Sequence, residues 1–234
     1  MSEASESLLI PPEFYFQTTF EIPFQEDLES DILSGNHPKI SVPLPHLLFE
    51  SADAKRLGTV HVAWNDAGMA ITAETILPQP EKPQASPKSG KRPQTQITRP
   101  DLDFFIDTRD MKSNKRANRF CHHFELIFPA IQGEKNLPEK IRRVALSHSQ
   151  TRNLPSSIDE IPISGSIEGE KIRASCWLSK DVLTGFDPEN VPSIGFFYLM
   201  KSHGLQGDRQ PYGLSENFPY MSDPSLWPSL KLSR

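Results

Sequence analysis

The chain has 234 residues, with 22 prolines against 12 glycines, two cysteines and a formal net charge of −5. That many prolines exclude a predominantly helical bundle, since proline lacks an amide donor and clashes inside a helix; two cysteines exclude a disulfide framework; a mildly acidic balance gives no ground for non-specific nucleic-acid binding. No run reaches the roughly 20 apolar residues of a membrane span, and the opening MSEASESLLIPPEF has neither the basic nor the long apolar region of a secretion signal, so a soluble cytoplasmic protein with reduced thiols and no membrane partner is expected.

Residues 1–12 are polar, end in Pro11 and Pro12, and read as a flexible lead-in to a single domain over 13–234. Phe14, Phe16, Thr18, Phe20 and Ile22 share one parity, the period of a half-buried strand. Residues 23–50 hold four prolines and show little periodicity, which predicts loop with a short edge segment at Ile40–Val42. Val60, Val62 and Trp64, then Met69, Ile71 and Ala73, form two alternating runs around Asn65-Asp66-Ala67-Gly68. Those turn residues predict a tight hairpin with one residue at positive φ. The alternation also places Trp64 inward.

From Pro78 to Pro100 the composition changes: six prolines, several lysines and almost no apolar groups. Such a stretch cannot bury enough surface to offset its ordering entropy, so 79–99 is expected to be a disordered loop within the domain. In DLDFFIDT, Leu102, Phe104 and Ile106 take the core face, and Asp101, Asp103, Phe105 and Asp107 the opposite, solvated one. A polar connection leads to RFCHHFELIF, with Phe120, His122, Phe124, Leu126 and Phe128 on one parity. Further strands are predicted at 142–148, 161–168, 170–178 and 194–201, and one helical turn from Ser179 that stops at Gly185. Trp227 is expected to pack the C-terminal tail down. About nine short strands with scraps of helix imply a β-sandwich or barrel.

Three constellations carry candidate chemistry. Asp103, Asp107 and Asp110 are acids of the kind that ligate a hard cation, but the spacing lacks the order of a dedicated calcium loop; their plainer role is to face solvent or cap the turn. Arg109, Lys112, Lys115, Arg116 and Arg119 form a basic run able to meet an acidic partner, or a solvated loop that offsets neighbouring acids. Cys121 and His123 share a strand face that Cys176 can join from a neighbouring strand, the ligand types of zinc; the alternative is a buried thiol beside a hydrogen-bonded His122. The common nucleotide, hydrolase and metalloprotease signatures are absent.

VHVAWNDAGMAITAET followed by DLDFFIDTRD, and later LSKDVLTGFDPENVPSIGFFYLM, resembles carbohydrate-binding module family 9 and the wider DOMON-like superfamily. FIDTRD with NRFCHHF and the C-terminal FPYMSDPSLWPSLKL resembles uncharacterised planctomycete proteins of that superfamily. The resemblance implies an all-β, antiparallel two-sheet sandwich with little helix, no cofactor, and non-catalytic binding of a carbohydrate or similar polar ligand. The contacts would come from groups beside the FIDTRD strand: Asp103, Phe105, Asp107, Arg109 and Trp177, the rings stacking on sugar and the charged groups hydrogen-bonding it. Family members that bind glucans clamp sugar between exposed tryptophans, and no two tryptophans here are placed as an evident clamp. Two alternatives remain: an intracellular interaction module whose basic loop meets an acidic protein, and an enzyme with a deep pocket.

Overall fold

The computed structural model describes residues 18–40, 43–44, 58–76, 100–128, 140–143, 161–169, 171–203, 209–211 and 222–234. The expected lead-in at 1–12 and loop at 79–99 lie outside the described residues. In chain order the elements are β1 (Thr19–Pro23), α1 (Leu28–Leu33), β2 (Gly58–Asn65), β3 (Gly68–Ile76), β4 (Pro100–Asp107), β5 (Cys121–Ile127), β6 (Lys140–Arg143), β7 (Ile163–Glu168), β8 (Lys171–Ser179), β9 (Ser193–His203), β10 (Arg209–Pro211) and β11 (Ser229–Ser233). The larger sheet runs β1-β11-β9-β4-β5-β6, with β10 also on β9; the smaller runs β2-β3-β8-β7. Every strand pair is antiparallel except β1 with β11, which is parallel. Among the described residues no helix is long and apolar enough to cross a membrane.

Alternation builds the core, because successive side chains of a strand point to opposite faces. Val60, Val62, Trp64, Ile71 and Cys176 of the smaller sheet meet Leu102, Phe104, Phe124, Phe196 and Tyr198 of the larger in one buried cluster. Trp64 faces inward as its parity requires, and its Nε1 donates to the Ile22 carbonyl at 3.2 Å. The predicted two-sheet sandwich is therefore the observed architecture.

Three local features depart from expectation, and one forms as expected. The hairpin turn Asp66-Ala67 needs no positive φ, since none occurs there; instead Asn65 Oδ1 accepts the amides of Ala67 at 2.8 Å and Gly68 at 3.1 Å. Gly68 is required for a close approach: a Cβ would stand 2.2 Å from the Leu178 carbonyl oxygen and 2.9 Å from the Trp177 ring. The proline-rich stretch after β1 contains α1, with Leu28 and Ile32 one turn apart on its buried side. The C-terminal tail is a strand as well as a packed end: Leu230 and Leu232 alternate inward in β11. The turn after Ser179 forms as expected, with the Leu183 amide donating to the Ser179 carbonyl at 3.0 Å and Gly185 at φ +86°.

Candidate functional site

The strand expected to present ligand contacts is covered on both faces. Asp101, Asp103, Phe105 and Asp107, predicted to face solvent, are 5%, 2%, 0% and 1% exposed. Register explains part of the cover: Phe105 lies opposite His123 on β5 and Phe197 on β9, and its ring stacks on His123 at 4.1 Å with Trp227 at 5.6 Å. Asp103 Oδ1 meets His123 Nε2 at 2.8 Å, both side chains nearly dry. Parity alone cannot foresee this, because it assigns a side but not what packs over it.

Trp177 stands apart from this group. It lies on the outward parity of β8, in the smaller sheet, and is 1% exposed under Leu28, Ile32 and Ile40. The expectation of a surface ring is corrected: α1, which the sequence did not reveal, sits over it. Phe105 and Trp177 therefore belong to different sheets and share no concave face. Of the five residues chosen from the sequence, Arg109 alone reaches the surface, and it is half-buried.

The three acids considered for a metal each have a structural partner. Asp107 accepts the Arg109 amide at 3.0 Å and the Met111 amide at 2.8 Å, so it caps the turn after β4. Burial pushes its pKa up, against these two amides. Asp110, at φ 48°, accepts the hydroxyls of Ser193 at 3.0 Å and Ser229 at 2.7 Å and pairs with Lys112 at 2.6 Å. Among the described residues no three His, Cys, Asp or Glu side chains are placed to share a metal ion. The Cys121, His123 and Cys176 set is likewise separated: Cys176 lies in the inter-sheet core, Cys121 lies at the start of β5 in the other sheet, and both thiols are free. His122 Nε2 lies 3.5 Å from the Thr184 carbonyl oxygen and its ring lies beside Phe124 at 6.2 Å, in keeping with its plainer reading.

These contacts make residues 108–120 a braced loop rather than a loose one. Thr108 Oγ1 donates to the Thr184 carbonyl at 2.7 Å, and Lys112 Nζ donates to the Trp227 carbonyl. Asn118 Oδ1 accepts the Phe120 amide at 2.8 Å. Phe120, expected to share a strand face with Phe124, Leu126 and Phe128, instead ends half-buried at the loop's close, against Gly185, where a Cβ would stand 2.5 Å from its ring. Arg109 and Arg119 both place their guanidinium carbons over that ring, at 5.2 and 4.7 Å from its centroid. An Arg–Phe adjacency was readable in the sequence; that Arg109, ten residues earlier, returns to the same ring was not.

A second polar group lies on the outer face of the smaller sheet. His37 Nδ1 is 2.8 Å from Ser175 Oγ and its Nε2 3.0 Å from Ser166 Oγ, while Ser175 reaches Thr72 at 2.8 Å. Burial, then the Arg173 charge, lowers the His37 pKa. This group ties the segment after α1 to the sheet.

No family model matches the chain, and neither does any curated protein. Solved structures do. A family 9 carbohydrate-binding module from Caldicellulosiruptor kristjanssonii in complex with cellotriose superposes with a TM-score of 0.57 at 13% identity, covering 92% of this chain and 94% of that one. A family 9 module of the same organism in complex with glucose gives 0.55 at 11% identity, covering 92% and 96%. The likeness spans nearly the whole of each chain and concerns the fold: this protein is a β-sandwich built like family 9 carbohydrate-binding modules.

Proposed function

We propose that this protein binds a carbohydrate without transforming it. The observation that carries the reading is the end-to-end likeness to modules whose structures contain cellotriose and glucose. Fold alone does not transfer function, so the reading also leans on a surface suited to a polar ligand. The end of the sandwich formed by residues 108–120 and 180–191 supplies it. Arg109 is the contact residue retained from the FIDTRD strand, and Arg119 joins it. Asp107 sets the path of the turn, while Asp103 and Phe105 pack against His123 within the sheet. Trp177 belongs to the support of the smaller sheet rather than to this end.

Isothermal titration calorimetry against a panel of neutral and acidic oligosaccharides tests the proposal. Saturable binding to at least one sugar class, with no change in the sugar after long incubation, is the expected result. Heat-silent titrations across the panel would remove the reading, and release of shortened sugars would replace it with an enzymatic one.

A further inference from the structure

The loop that closes β4 carries a charge opposite to that of the molecule. The chain has a formal charge of −5, yet Arg109, Lys112, Lys115, Arg116 and Arg119 crowd into eleven residues. Lys112 is occupied by Asp110 and the Trp227 carbonyl. Among the described residues no carboxylate pairs with the other four. The adjoining loop carries Asp181, Asp187 and Glu189; Asp187 accepts from the Asn190 side chain at 3.0 and 3.1 Å, and among the described residues none of the three pairs with these cations. Lys115, Arg116 and Arg119 are exposed and Arg109 is half-buried. Charges beyond about 8 Å are largely screened at physiological salt, so an approaching ligand meets the local excess of six cations over four acids in residues 108–120 and 180–191 rather than the protein's net charge.

Two of the four cations are also held in place. Arg109 and Arg119 share the Phe120 ring, whose π face attracts guanidinium and so lets two like charges sit together. Phe120 is itself fixed by Gly185 and by the Asn118 side chain. A guanidinium is a planar fork matched to a carboxylate. Two such forks, already ordered, lose little side-chain entropy on binding.

We propose, resting on the carbohydrate reading above, that the ligand is an acidic sugar. Arg109 and Arg119 take the carboxylate of a uronic acid residue, Phe120 acts as the positioning residue for both, and Lys115 and Arg116 add attraction along the chain of the glycan. An acidic peptide offers the same carboxylates; the sandwich's likeness to sugar-binding modules favours the glycan.

Calorimetry with the full chain tests this, using an oligogalacturonate, cellohexaose and poly-glutamate as the three probes, at low and at physiological salt. The expected result is binding of the oligogalacturonate that weakens with salt, and little or none of the other two. Arg109→Gln with Arg119→Gln should weaken it about tenfold or more, the loss of charge-assisted hydrogen bonds. Arg119→Lys should also weaken it, since charge is kept but the fork is lost. Phe120→Leu should lower affinity with both arginines present. Circular dichroism and melting temperature identify any variant that fails through misfolding, and Arg119→Lys, an exposed change, remains to decide the matter. Binding of cellohexaose but not oligogalacturonate would overturn this inference and leave the carbohydrate reading standing. Poly-glutamate binding as tightly as the uronate would overturn it in favour of a peptide partner. Silence with every probe and every sugar would remove both.

Discussion

Asp103 and His123 meet at 2.8 Å with both side chains almost fully buried. Removing one member of such a pair leaves a buried polar group without that hydrogen bond in a dry site, a loss of about 1–3 kcal/mol. Asp103→Ala should therefore lower the denaturation midpoint strongly, and Asp103→Asn less, since an amide oxygen still accepts a hydrogen bond; urea titration reads the difference. The thiols give a second expectation. Burial pushes Cys121 and Cys176 each to about 12, so the thiolate that reacts is scarce at neutral pH. Thiol reagents should label neither in the native protein at pH 7.5 and both after denaturation; rapid native labelling would refute the placement. The aspartates of β4 were visible in the sequence as one parity, but their burial was not, because a covered outer face and a solvated one have the same alternation.

Helix α1 is six residues long and shorter than an isolated helix can sustain. It exists because Leu28 and Ile32 bury themselves on Trp177, Ala63 and Ala70. Truncating Ile32 to Ala should cost about 2–5 kcal/mol and shift tryptophan emission to the red as water reaches Trp177. An unshifted spectrum would mean that α1 does not cover the indole. Behind the helix, His37 joins the following segment to Ser166 and Ser175. Its pKa lies below the ordinary 6.5, so the unfolded chain takes up the proton first. Stability present above pH 6.5 is then lost as pH falls toward the folded-state value. His37 is only half-buried, so the slope is modest. His37→Gln should flatten it between pH 7.5 and 5, as urea midpoints would show. The strands were legible as elements because period-2 alternation is local. The helix was not, because two apolar residues one turn apart, in a stretch rich in prolines and acids, carry too weak a pattern.

Over the whole molecule, one edge of the larger sheet is built by segments more than 200 residues apart. Thr19–Pro23 pairs in parallel with Ser229–Ser233, the Phe24 amide donates to the Ser233 carbonyl at 3.0 Å, and Arg234 lies over the Phe24 ring at 5.0 Å. Leu230 and Leu232 enter the common core there. Replacing both by Ala should lower stability by about 4 kcal/mol or more and loosen β1 along with β11. Hydrogen exchange at Phe20 and Ile22 would report it; exchange unchanged at β1 would show that the two strands do not depend on each other.

The division of labour follows from the range of the forces involved. Alternation of apolar residues was enough to determine an all-β sandwich or barrel, the inward Trp64, and the core face of β4, because each rests on neighbours two residues away; the choice of a two-sheet sandwich came from the family resemblance. Proline content likewise ruled out a helical bundle without any tertiary information. Tertiary structure alone decided which outward faces are wet. It buried Phe105 under Trp227 and Trp177 under α1, placing on separate sheets two rings that the sequence allowed to stand together. It also brought Arg109 and Arg119 onto one phenylalanine. Those outcomes depend on segments distant in sequence meeting in space, and no local periodicity records such meetings.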